Sequence, residues 1–272
     1  MTLKKIGATL AATALALSLT ACGGGSTTDL SNLKIGIKFD QPGLGLKTGE
    51  TYSGFDVDVA TYIAGKLGTT PDKIQWTQAP SAQRETLIES GQVDLVVATY
   101  SINDQRKEKV SFAGPYLVAG QDLLIRANDT SITGVDSLKG KKLCSVTGST
   151  SAQQVEQKVP GVNLQNFSGY SDCVAALAAG TVDALTTDDT ILAGYAAQPE
   201  YKGTLKVVGR PFTVENYGVG LKKGNTELCN KVTDAIKSML ADGSWQKFLD
   251  KNLGPAGYKP GEGNPPTPAA CS

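Results

Sequence analysis

VDLVVATYSINDQRKEKVSF, residues 93–112, decides the fold. Val93, Leu95, Val96, Val97 and Ala98 form a near-continuous apolar run, the pattern of a central strand covered on both faces in a parallel sheet. Thr99, Ser101 and Arg106 follow it. Ligands of open α/β sheets bind outside the carboxyl ends of the strands, where a guanidinium fork can hold a carboxylate with two parallel hydrogen bonds. The competing reading makes Arg106 one more solvated charge beside Lys107 and Lys109, and the rest of the chain has to decide between the two.

Outward from this strand, strand and helix patterns alternate. Residues 34–39 read as a strand, 55–67 as a helix with Phe55, Val59, Ile63 and Leu67 on one face and Gly68 as its stop, 74–76 as a short strand and 81–90 as a helix. This βαβαβ order predicts an α/β fold built on a parallel, doubly wound sheet. A second α/β set follows, with strands at 143–146 and 182–185 and helices at 151–158, 171–179 and 190–197. Residues 116–125 and 214–221 are extended, and a further helix pattern covers 227–240. The simplest topology has the chain leave a first lobe near Tyr116, build a second, and return between Arg210 and Tyr217, giving two hinge crossings and a cleft. Each lobe is expected to be a mainly parallel sheet flanked by helices. Lobe 1 comprises 33–118 and 213–253, lobe 2 comprises 119–212 with the hinge strands at its ends, and 254–272 is a Pro/Gly-rich tail.

Residues 1–21 carry Lys4 and Lys5, an apolar run and then Leu19-Thr20-Ala21-Cys22, which reads as a secretory signal peptide. Leu-x-Ala-Cys resembles the lipobox of bacterial lipoproteins, so Cys22 is the expected lipidation site and 22–32 a flexible tether to the outer face of the bacterial cell membrane. Removing Lys4 and Lys5 from the 26 basic residues leaves 24 against 26 acidic ones, a net charge of −2 with no basic footprint for nucleic acid. The chain has no histidine, which removes Ser-His-Asp and Cys-His nucleophile pairs and every histidine-based metal site. Cys144, Cys173, Cys229 and Cys271 remain in an exported chain and permit three disulfide pairings; Cys144 with Cys173 and Cys229 with Cys271 keeps each pair within one stretch.

Polar groups fall at several strand ends. Lys38 ends the first strand, Ser81 and Arg84 open a helix, Thr147-Gly148-Ser149-Thr150 bridges a strand to a helix, and Asp188 follows a strand. Arg84 breaks a local rule, because a cation in a helix's first turn opposes the macrodipole and stands where a capping box would have glutamate. The 147–150 loop offers N–H groups and hydroxyls to an anion, or is simply an N-cap. Asp56 and Asp58 read as favourable charge at a helix start rather than as a catalytic pair. Gly43-x-Gly45-x-Lys47-Thr48 lacks the order and spacing of a nucleotide loop.

Together, Gly54-Phe-Asp-Val-Asp-Val-Ala60, Thr99-x-Ser101-x4-Arg106 with Phe112-x-x-Pro115-Tyr116, Leu138-Lys-Gly140 and Gly180-x-Val-Asp183-x4-Asp188 resemble the polar amino-acid-binding proteins of bacterial ABC importers, solute-binding protein family 3. Residues 35–45, 80–88, 98–103 and 184–188 further resemble the actinobacterial glutamate-binding lipoproteins. The resemblance implies that Arg106, helped by Ser101 and the Thr147 to Thr150 loop, holds an α-carboxylate, and that Asp188 with Thr99 and Ser101 takes an α-ammonium. Lys38 and Arg84 match positions that in glutamate and aspartate binders face the side-chain carboxylate, which favours L-glutamate over glutamine and leaves aspartate, glutamine and asparagine as alternative ligands. Tyr170 stands where some dicarboxylate binders carry histidine. The resemblance also implies a monomer with no cofactor, partnered by ABC permease subunits with a cytoplasmic ATPase. Two other classes share the fold: a sensor that signals to a membrane partner, and a dehydratase-type enzyme, for which Asp188 and Lys38 are the only acid–base candidates.

Overall fold

The apolar run at 93–98 lies at the centre of a five-stranded sheet, with Leu95, Val96, Val97 and Ala98 fully buried, in a computed structural model that describes Thr2 and residues 29–272. Apart from Thr2, the signal segment lies outside the described residues, as do Cys22 and the rest of the tether up to residue 28.

The first half of the chain forms β1 (Lys34–Ile37), the small antiparallel set β2 (Asp40–Gln41), β3 (Gly45–Thr48) and β4 (Thr51–Ser53), then α1 (Phe55–Leu67), β5 (Gln75–Gln78), α2 (Arg84–Glu89), β6 (Leu95–Val96), α3 (Asp104–Lys107) and β7 (Val110–Ala119). α1 buries Phe55, Val59 and Ile63 on one face and stops at Gly68, whose left-handed φ of 98° suits glycine. The helix expected over 81–90 is split: residues 81–83 make a 3₁₀ turn, and α2 begins only at Arg84. The second half forms β8 (Gln121–Arg126), β9 (Lys142–Val146), α4 (Thr150–Lys158), β10 (Asn163–Phe167), α5 (Tyr170–Ala178), β11 (Ala184–Asp188), α6 (Asp189–Ala196) and β12 (Leu205–Val207). The chain then returns through β13 (Glu215–Lys222) to α7 (Thr226–Ala241) and α8 (Ser244–Asn252).

Two sheets result, in the orders β5-β1-β6-β13-β7 and β10-β9-β11-β8-β12. Four of the five strands in each sheet run in one direction, as expected of a mainly parallel sheet, and one runs against them. β1 runs parallel to β5 and β6, and β9 parallel to β10 and β11, but β13 is antiparallel to β6 and β7, and β8 antiparallel to β11 and β12. The strand by which the chain enters each lobe, β8 in the second and β13 on the return to the first, runs against the βαβ set there, while β7 and β12, by which it leaves, run with it.

The chain passes between the sheets at Gly120 and over residues 208–214. The two crossings are bonded to each other, Phe212 N to Gln121 O at 2.9 Å and Gln121 N to Thr213 Oγ1 at 3.0 Å. A Cβ on Gly120 would lie 2.7 Å from Pro211 Cβ, so this close approach requires glycine. α7 is capped by Asn225, which accepts from Leu228 N at 3.2 Å, and packs on α1 and β7. In α8, Trp245 Nε1 donates to Tyr116 O at 2.7 Å and so ties the helix to the crossing strand.

Of the three possible pairings the fold adopts Cys144–Cys173 and Cys229–Cys271, with Cα–Cα distances of 5.7 and 5.9 Å. The second bond holds the tail along β7, an edge strand. Phe112 N donates to Ser272 O at 2.9 Å, Ala269 N to Gly114 O at 2.7 Å, and Asn264 bonds both backbone groups of Val118. The Pro/Gly-rich segment thus covers backbone groups that would otherwise stand open.

Candidate functional site

The central strand ends abruptly because Thr99 takes a left-handed φ of 47°, the only positive φ of a non-glycine residue among those described. Asp56 holds it there. Its buried carboxylate accepts from Thr99 N and from Tyr116 Oη, both at 2.8 Å. The reading of Asp56 as charge at a helix start is therefore corrected: the side chain turns inward and braces the strand end. Asp58 does face outward and pairs with Lys251 at 2.9 Å.

Around Thr99 the first lobe gathers three buried cations. Lys38 is 4 % exposed and donates to Ser81 Oγ at 2.8 Å. Arg84 is 2 % exposed, donates to Ala98 O at 3.0 Å and lies 4.2 Å over the ring of Tyr100, while its Nε has no partner. Arg106 also lies over Tyr100, at 4.9 Å. Its backbone N–H is held by the cap residue Asn103, and its guanidinium donates to Ser101 O at 2.7 Å and pairs with Glu85 at 3.4 Å. Glu85 in turn accepts from Tyr100 Oη at 2.8 Å.

The facing wall comes from the second lobe. Asp188 ends β11, 3 % exposed, and accepts from Tyr217 Oη at 2.6 Å and Ser151 Oγ at 3.4 Å. Thr150 is buried at the start of α4, 3.4 Å from Ser101 Oγ, and Arg106 reaches Gly148 O at 3.2 Å, so the lobes touch across the cleft. Tyr170 is buried at the start of α5. Thr147 is exposed and lines, with Lys38, Asp40, Gln83, Ser168 and others, a cavity of about 500 Å³ at the cleft mouth. Of the ten residues singled out from sequence, nine are thus buried between the lobes and Thr147 stands at the rim.

Burial opposes charge on both walls. It pushes Lys38 down to about 7, with the Arg84 guanidinium the next cause, and Arg106 down to about 10 for the same two reasons. It raises the Asp188 carboxyl well above its ordinary range, with Glu215 adding to the effect. A cation-rich wall thus faces an anionic one, and burial drives both toward neutrality even though Arg106 keeps Glu85 beside it. Such a cleft is matched by a molecule carrying negative charge at one end and positive charge at the other.

The sequence reading missed Glu85, Tyr100, Ser151, Tyr217 and Gln41. Gln41 is fully buried beside Thr99 Oγ1 at 3.2 Å, with its Nε2 unpartnered. Ser151, one residue past the loop already singled out, had a usable signal; the others acquire their roles only through contacts distant in sequence.

The description "Bacterial extracellular solute-binding proteins, family 3" matches residues 33–255. The chain is 48 % identical over 283 residues to the glutamate-binding protein GluB of Corynebacterium glutamicum, covering 97 % of this chain and 95 % of that protein. It is 36 % identical over 227 residues to the glutamine-binding protein GlnH of an ABC transporter of Bacillus subtilis, covering 82 % of this chain and 81 % of that one. Among solved structures, an ancestral arginine-binding protein bound to arginine superposes with a TM-score of 0.76 at 34 % identity, covering 82 % of this chain and 98 % of the other. With the two-lobe fold, a cleft of opposed charge and a family match over most of its length, the chain belongs to the bacterial extracellular solute-binding proteins of family 3.

Proposed function

We propose that the protein is the extracytoplasmic substrate-binding lipoprotein of an ABC importer, that it closes its two lobes on L-glutamate, and that it presents the closed form to a permease. The observation that carries this reading is the opposition of Lys38, Arg84 and Arg106 on one wall to Asp188 on the other, all buried. An α-amino dicarboxylate has two anionic groups and one cationic group. Arg106 would fork the α-carboxylate with help from Ser101 and Thr150, Asp188 would take the α-ammonium with Thr99, and Lys38, Ser81 and Arg84 would receive the side-chain carboxylate. Tyr170 and Thr147 would flank the ligand from the second lobe. Only the closed form satisfies both ends of the zwitterion, so ligand shifts the open–closed equilibrium. The protein binds without catalysis in this reading, and the likeness to a glutamate-binding relative over nearly the whole chain supports it.

A thermal-shift panel of the twenty amino acids tests the assignment. Glutamate is expected to stabilise most, and a stronger response to glutamine would overturn the roles given to Lys38 and Arg84. By calorimetry, Arg106→Ala is expected to cost about 3–5 kcal/mol, or two to four decades of glutamate affinity, because it strands a buried carboxylate. Near-normal binding by that variant would remove Arg106 from the site.

A further inference from the structure

Beside the cleft, the first lobe grips the second through a residue that the ligand assignment does not use. Asp40, in β2, points its carboxylate at the N-terminus of α5: Oδ2 accepts from Tyr170 N at 3.1 Å, Ser171 N at 3.4 Å and Ser171 Oγ at 3.5 Å. α5 has Gly169 at its N-cap and no side-chain cap of its own. Asp40 therefore supplies, from the other lobe, the oxygen that a cap residue normally provides, and its charge complements the helix dipole. The fit is shaped from both sides. A Cβ on Gly169 would lie 2.7 Å from Asp40 Oδ2, and one on Gly194 in α6 would lie 2.1 Å from Pro42 O. The Tyr195 hydroxyl donates to Asp40 O, adding a third tie to the same hairpin.

We propose that Asp40 is a latch: a positioning residue that caps α5 only when the lobes are closed, and so sets affinity through the closed state without touching the amino acid. This rests on the lobe closure described under the proposed function. Opening returns Asp40 and the first N–H groups of α5 to water, so the latch adds nothing to the ligand-free open protein.

The test compares Asp40→Ala, Asp40→Asn and Gly169→Ala with the wild type, by calorimetry, stopped-flow fluorescence and melting of the ligand-free chain. With L-glutamate, Asp40→Ala and Gly169→Ala are expected to bind roughly three- to thirtyfold more weakly, the size of a lost helix cap, through faster dissociation at unchanged association rate. Asp40→Asn keeps a good cap and should stay within about threefold of wild type. Asp40→Ala affinity within twofold of wild type would overturn the latch. So would equal losses in Asp40→Asn and Asp40→Ala, which would mark a charge effect on Lys38, or a lower melting temperature of ligand-free Asp40→Ala. A wild type that binds L-glutamine and not L-glutamate would sink the glutamate reading alone, and the same variants would then be compared with L-glutamine. A wild type silent to all twenty amino acids would overturn both.

Discussion

Lys38 and Asp56 show how burial turns an ordinary charge into a specific instrument. Lys38 has one hydrogen-bond partner, Ser81, and two cationic neighbours in Arg84 and Arg106. Lys38→Met is therefore expected to lower glutamate affinity at least tenfold, ~1.4 kcal/mol, and to leave glutamine binding nearly unchanged, a contrast that paired titrations measure. Asp56 is raised from 3.8 to about 6 by burial, against the pull of its bonds to Tyr116 and Thr99. The folded state thus holds its proton more tightly than the unfolded one, so stability from this group is full below about pH 4 and is lost as pH rises through about 6. Denaturant midpoints of the wild type should fall over that window, and Asp56→Asn should show a smaller fall. Arg84 was legible in the sequence because it violates helix electrostatics locally. Asp56 was not, since a carboxylate in a first helical turn looks the same whether it faces water or, as here, partners 43 and 60 residues away.

At the level of elements, α1, α7 and the central strand were legible because their apolar faces follow one period. β2, β3 and β4 were not, being two to four residues long with no alternation, and β10 was missed because NLQNF is too polar to read as a strand. Strand direction has no periodic signature at all, which is why the one opposed strand in each sheet, β13 and β8, came only from the fold. The tail has its own energetics: Cys229–Cys271 closes a loop of 42 residues and holds backbone groups against the edge of β7. Cys271→Ser is expected to lower unfolding free energy by about 2–4 kcal/mol by denaturant titration.

For the whole molecule, the two crossings were readable as extended segments joining two α/β sets, but the contacts across the cleft were not, because they join surfaces distant in sequence. Those contacts predict a pH response. In the closed, ligand-free cleft Lys38 is held near 7 by burial and Arg84, with Arg106 adding to this and Asp40 and Asp56 opposing it. Opening returns the ammonium to water and moves it back up toward its ordinary value of 10.5. Between these values the closed form binds fewer protons, so rising pH favours closure. The radius of gyration of the ligand-free protein is expected to shrink from pH 7 to pH 10 by small-angle scattering, and Lys38→Met should lose that response. The bond from Trp245 to Tyr116 has an optical consequence. The chain's two indoles, Trp76 in β5 and Trp245 in α8, both ride on the first lobe. An energy acceptor attached to an exposed second-lobe position such as Asp136 would therefore read interlobe distance from native donors alone.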